Sequence, residues 1–296
     1  MRAAVEARLG GKVTSATSSP GGFSPGLAAR LRTSDGRRVF AKAAGPDPNP
    51  DTPAVHRREA EVVAALPAEV PAPKLLWTHE GDGWVVLAFE DVDGHNPAEP
   101  WRPDELDRVL ETLLALAETL TPSPLPGDSV EGVCGWSVFG GHWERMRRER
   151  QAGLDGWSLR NLDRLAELET EAPDAAAGDT LLHLDLRADN VILTPDRVVV
   201  VDWPHVRVGA AWVDLLFFAP SVVMQGGPNP EELLARYPPA GQADGDAVTA
   251  VIAAIAGFFV GEGLRPAPPG LPTLRAFQLA QGVAAVRWLA RRTGWE

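Results

Sequence analysis

Cysteine, tyrosine and lysine are nearly missing from this chain of 296 residues, which carries one Cys, one Tyr and three Lys, at positions 12, 42 and 74. A lone Cys134 cannot close an internal disulfide, and no Cys/His cluster offers zinc-ligand spacing. Positive charge is short too: 28 Lys and Arg against 40 Asp and Glu leave a formal charge of −12. That balance argues against a nucleic-acid ligand, which calls for a basic patch, and suits a cationic small molecule only weakly, because net charge mainly reports solubility and steering. The run 145–150 reads as a solvated basic helix face. No apolar run reaches the about 20 residues that span a bilayer, and the start MRAAVEARLGGKV lacks the apolar centre of a secretory signal. A cytoplasmic location without membrane contact is therefore expected.

What the chain does have is an ordinary globular make-up, 45% apolar and 23% charged, in a length that suits two packed lobes. Residues 12–17, 27–33 and 38–43 read as an antiparallel meander, with strands at 75–78 and 84–89 completing a small sheet. A helix starting at Pro53 runs to about 66, with Val55, Glu59, Val62 and Leu66 on one stripe, so a carboxylate sits among apolar neighbours while Glu61 points elsewhere. After a linker at 90–94 the texture turns helical, at 103–120, 142–151 and 158–171 and in two further helices near the end. The expected division is 1–91 as a nucleotide-binding lobe and 92–296 as a helical lobe carrying catalytic and metal loops.

The stretch LLHLDLRADNVILTPDRVVVVDW, residues 181–203, is the most informative. Two short apolar strands flank a turn at 194–197, so Asn190 and Asp202 come to one open end of a hairpin. An amide oxygen and a carboxylate are hard ligands of the kind magnesium accepts alongside phosphate oxygens and water. Asp185, five residues before Asn190, is placed to accept a substrate hydroxyl proton. A lysine within an apolar strand, Lys42, stands out in a chain whose default cation is arginine.

His183-x-Asp185, Asn190 and Asp202 resemble the catalytic and magnesium loops of the aminoglycoside phosphotransferase and choline kinase family, relatives of protein kinases. Leu184 and Arg187 stand where that family commonly has glycine and histidine. The resemblance implies an α+β, bilobal protein-kinase-like fold, with a small antiparallel-sheet lobe holding one helix and a larger, mainly helical lobe. It also implies roles. Asp185 is the catalytic base, Asn190 and Asp202 hold Mg2+, and Lys42 paired with Glu59 holds the α- and β-phosphates of ATP or GTP. Gly22, Ser24 and Gly26 belong to a loop over the phosphates, Glu90 and Val92 to a hinge for the base, and Asp214 braces the catalytic loop. His183 supports that loop by hydrogen bonding.

The implied activity is phosphoryl transfer to a hydroxyl of a small molecule, foremost an antibiotic, aminoglycoside or otherwise, with resistance as the consequence. Choline, homoserine or a sugar is the alternative acceptor, and the oligomeric state is left open. A catalytically silent nucleotide-binding scaffold is the rival from another class, and a magnesium-dependent phosphohydrolase is a third. Trp136, Trp143 and Trp157 lie where such proteins build the acceptor pocket, although most tryptophans are expected in the core.

Overall fold

The structure, a computed structural model, describes residues 2–19 and 26–296. They form two compact units, each discontinuous in sequence. The first comprises residues up to His95, together with Ile192–Pro204 and Pro268–Leu271. The second comprises Asn96–Val191, His205–Ala267 and Pro272–Glu296.

In the first unit, helix α1 (Arg2–Leu9) precedes strands β1 (Val13–Ser18), β2 (Leu27–Thr33) and β3 (Arg38–Ala44), then helix α2 (Thr52–Ala65) and strands β4 (Leu75–Gly81) and β5 (Trp84–Glu90). The sheet order is β1-β2-β3-β5-β4, antiparallel throughout, so the first three strands are the expected meander while β5 slots between β3 and β4. Period-two alternation splits β3 between two cores. Val39 and Ala43 join Val86, Ala88 and the α1 residues Val5 and Leu9 on one face. Phe40 instead packs with Val85, Leu87, Phe89 and Ala60 of α2 on the other.

The expected lobe had one helix, and this unit has two. The eight residues of α1 were missed because so short a segment carries little periodic signal. Helix α2 begins as anticipated, with Pro53 in its first turn, where the missing N–H costs nothing.

The second unit opens with α3 (Pro103–Thr119), α4 (His142–Glu149), α5 (Gly156–Arg160), α6 (Leu162–Leu168) and α7 (Ala172–Ala175). The single helix expected at 158–171 is broken at Asn161, whose buried side chain donates to the carbonyls of Trp157 and Glu296, both at 3.1 Å. Strand β6 (Thr180–Leu182) pairs with β9 (Arg207–Gly209), and between them in sequence lies the hairpin of β7 (Val191–Leu193) and β8 (Val198–Val200), which from Ile192 on belongs to the first unit. Its turn is closed by Thr194 N donating to Arg197 O at 2.9 Å and Arg197 N donating to Thr194 Oγ1 at 3.0 Å.

Helices α8 (Val213–Met224), α9 (Pro230–Ala235), α10 (Pro238–Gly241), α11 (Gly245–Gly263) and α12 (Leu274–Thr293) complete the chain. By length and composition α11 could cross a bilayer, contrary to the reading of the apolar runs. Its Ile252, Ala253, Ala256 and Val260 are buried, and α12 packs along it, so its apolar surface is accounted for as core.

Candidate active site

On the α2 face of the first unit, Lys42 Nζ donates to Glu59 Oε1 at 2.6 Å and to Asp202 Oδ1 at 2.9 Å. The helix stripe explains Glu59: its side chain is 4% exposed, between the buried His56 and Val62, while Glu61 is exposed. Burial opposes charge on Lys42, but Asp202 and Glu59 outweigh it and raise its pKa. The same burial pushes the Glu59 carboxyl up to about 7 against the pull of Lys42. An apolar cavity of about 300 Å³ bounded by Val5, Val13, Ala41 and Ala43 opens on the α1 face, away from this cluster.

Asp202 follows β8 at a φ of 70°, a left-handed conformation that Asp tolerates better than most residues. Its neighbour Trp203 is fully buried and donates to Val200 O at 2.8 Å, fixing the chain there. The end of β8 is tied inward by Val200 N donating to Pro71 O at 2.8 Å.

In the second unit the loop after β6 carries Asp185. Asp214, at the start of α8, accepts the backbone N–H of His183 at 2.9 Å and of Leu184 at 2.7 Å. Leu184, standing where glycine is common, has a φ of 62°. Burial raises the Asp214 carboxyl to about 6, although both backbone bonds lower it. His183 Nδ1 accepts from Asp185 N at 3.2 Å, so the histidine turns its ring to the loop backbone. Asn190 is buried and donates from Nδ2 to Asp185 O at 2.8 Å and to Asp185 Oδ2 at 3.1 Å. Its amide oxygen is thereby the atom suited to a metal. Arg187 donates to the remaining carboxylate oxygen, Asp185 Oδ1.

Among the described residues no group of three or more His, Cys, Asp or Glu side chains could hold a metal ion. Asn190 offers an amide oxygen and Asp202, in the first unit, a carboxylate, both of them hard donors. That chemistry fits magnesium completed by phosphate oxygens and water, and fits zinc poorly.

Of the expected phosphate loop, Gly22 and Ser24 lie outside the described residues. Gly26 is placed above the end of β3, where a Cβ would come 2.8 Å from Ala43 O, so only glycine lets the chain approach so closely. Glu90 closes β5. Its N–H donates to Lys74 O at 2.9 Å, and its carboxylate accepts from Lys74 N at 3.2 Å and from Arg197 at 3.4 Å. Val92 is buried.

Between them lies a residue that sequence reasoning missed. The Asp91 side chain is 3% exposed and pairs with Arg38 at 2.7 Å and Arg30 at 3.4 Å, the latter outside hydrogen-bond geometry. The alternation of Arg30 with apolar residues on β2 was the available clue.

The tryptophans divide. Trp143 is fully buried and donates to Ala253 O at 2.8 Å, whereas Trp157 stacks on Trp295 at 6.2 Å. Trp136 is half-buried, in an aromatic cluster with Phe217 at 5.2 Å and Phe258 at 6.4 Å. Arg147 in the basic run pairs with Glu144 at 2.8 Å and Asp163 at 3.0 Å, as a solvated face would.

The family model for the phosphotransferase enzyme family matches residues 20–249. Solved structures with similar folds include a spectinomycin phosphotransferase in complex with ADP and spectinomycin, at 13% identity and a TM-score of 0.62 over 97% of this chain and 95% of that one. A choline/ethanolamine kinase family protein from Mesorhizobium loti aligns at 17% identity and 0.64 over 99% and 98%. A macrolide 2'-phosphotransferase type I aligns at 18% and 0.58 over 99% and 91%. Likeness at these identities speaks for the fold, which is α+β and protein-kinase-like. No curated relative matches at a significant level.

Proposed function

Because the chain belongs to the phosphotransferase enzyme family, we propose that it moves the γ-phosphoryl group of ATP or GTP onto a hydroxyl of an antibiotic, inactivating it. Phosphotransfer to an alcohol group follows from the family, and the choice of acceptor is our reading. Lys42, held by Glu59, binds the α- and β-phosphates, and Gly22, Ser24 and Gly26 belong to the segment assigned to cover them. Asp185 accepts the acceptor's proton and orients its oxygen for attack. Asn190 and Asp202 would hold magnesium, which when bound neutralises charge on the transferring phosphoryl group. Glu90 and Val92 present hinge backbone to the purine, and a nucleotide-fed reaction of this kind suits the cytoplasm.

The observation that carries the reading is the Lys42 ammonium shared by Glu59 and Asp202. A scaffold or a phosphohydrolase has no use for a buried strand lysine clamped in this way. Similarity to the spectinomycin and macrolide enzymes supports an antibiotic acceptor. A choline-like amino alcohol is the second reading, favoured by the half-buried face of Trp136 and Phe258, since aromatic faces attract quaternary ammonium groups.

The experiment is a mass-spectrometric search for phosphate gain on spectinomycin, macrolides, aminoglycosides, choline and homoserine, with magnesium and ATP or GTP, and with Asp185→Asn as control. A product made by the wild type and lost in the variant establishes chemistry and acceptor together. Sustained multiple-turnover hydrolysis of ATP that none of these acceptors accelerates or captures would favour the hydrolase instead.

A further inference from the structure

We propose that Arg187 is a positioning residue for the base, fixing the Asp185 carboxylate in one orientation, and that Asp189 and Phe277 in turn fix Arg187. The proposal rests on the reading of Asp185 as base. The guanidinium is used on three sides. Nε donates to Asp189 Oδ1 at 2.9 Å and Nη2 to Asp189 Oδ2 at 3.1 Å, a two-pronged bond that sets the plane of the group. Nη1 is then directed at Asp185 Oδ1. The ring of Phe277, from α12, lies 5.5 Å from the Arg187 Cζ and backs the plane.

Exposure identifies which member is the fixed point. The Arg187 side chain is 8% exposed, against 24% for Asp185 and 40% for Asp189. The arginine is thus the buried post to which two more accessible carboxylates are tied. With Oδ1 bound by Arg187 and Oδ2 by Asn190 Nδ2, the carboxylate cannot rotate about its terminal torsion, which is otherwise broad. Its outward lone pairs then point one way, as near-attack placement of a hydroxyl requires.

A lysine could not replace it. One ammonium on a flexible stem cannot span both carboxylates and lie flat on a ring. The arrangement also gives a task to α12, which lies outside residues 20–249 matched by the family model.

The test uses the full chain and magnesium-ATP in water, following single-turnover release of inorganic phosphate, so that no acceptor identity is needed. Asp185→Asn should slow release by about 10²-fold to 10⁴-fold. Arg187→Gln should slow it by about 10²-fold with the half-saturating ATP concentration unchanged. Arg187→Lys should fail to restore it. The double variant Asp185→Asn/Arg187→Gln should be no slower than Asp185→Asn alone, because the arginine acts through the aspartate.

Multiplying losses, or a full rescue by lysine, would overturn the proposal. If Arg187→Gln does not fold, Asp189→Asn and Phe277→Leu, which keep the arginine, carry the same cycle, with smaller losses that also vanish in the Asp185→Asn background. Wild-type release by Asp185→Asn alone would remove the base reading and the positioning role with it. An impaired Asp185→Asn beside an unimpaired Arg187→Gln would remove only the latter.

Discussion

Lys42 Nζ lies between Glu59 Oε1, at 2.6 Å, and Asp202 Oδ1, at 2.9 Å, so one ammonium serves both a helix carboxylate and the acid that follows β8. Such a cation can bind phosphate only while something keeps it from collapsing onto Asp202. Glu59→Gln keeps the shape and a hydrogen-bond acceptor but removes that opposing charge. The expected result is a rise in the dissociation constant for magnesium-ATP of about 10-fold, equivalent to about 1.4 kcal/mol, read by calorimetry. Unchanged affinity would mean that the pair is structural.

The Asp214 carboxyl gives a pH prediction. Burial raises it to about 6 in the folded chain, above the ordinary carboxylate value. Between about pH 4 and pH 6 the folded state therefore holds this proton more tightly than the unfolded state does, and the contribution of Asp214 to stability falls as pH rises through that window. It is fully present below pH 4 and lost above pH 6, at most about 3 kcal/mol in all. Urea unfolding of the wild type and Asp214→Asn at pH 4, 5, 6 and 7 isolates it. The wild type should lose ground to the variant across that range, and a difference that stays flat with pH would refute the assignment.

Much of this site was legible because its parts are local and periodic. The four-three-four spacing marked Glu59, and not Glu61, as the buried carboxylate of α2, and the turn between β7 and β8 announced the hairpin flanked in sequence by Asn190 and Asp202. The first-turn proline gave α2 its start. What was not legible depends on contacts distant in sequence. The pairing of β3 with β5 and the cover supplied by α1 follow from packing, which short segments do not encode locally. Asp91 looked like linker and is buried because Arg30 and Arg38 reach it from neighbouring strands. Arg187 was visible as a departure from the family, but its hold on Asp189 and its ring partner 90 positions away became apparent only in three dimensions.

Leu184 poses a contest between backbone and side chain. Its φ of 62° costs about 1–2 kcal/mol for a residue with a Cβ, and glycine would relieve that. Yet the side chain is buried at 4% exposure, and deleting a buried leucine costs about 3 kcal/mol or more, with a further loss of about 1 kcal/mol for the added freedom of the unfolded glycine. Leu184→Gly should therefore destabilise the protein by about 2 kcal/mol, although it restores the residue common in the family. A rise in Tm on this substitution would show that backbone strain dominates.

Gly257 poses a similar contest within a helix. An exposed glycine in mid-helix is worse than alanine by about 1 kcal/mol, so α11 alone would gain from Gly257→Ala. Its position decides otherwise: a Cβ there would meet Trp143 Nε1 at 2.7 Å and Cδ1 at 2.8 Å, and this indole is fully buried and tied to Ala253 O. The ring cannot yield without breaking that bond, and overpacking a core costs about 1–3 kcal/mol. The lost indole bond adds about 1 kcal/mol. Gly257→Ala should thus lower stability by about 1–3 kcal/mol in urea unfolding, with a red shift of tryptophan fluorescence as Trp143 is displaced. A more stable variant with unchanged emission would mean that α11 and α4 can move apart freely at this contact.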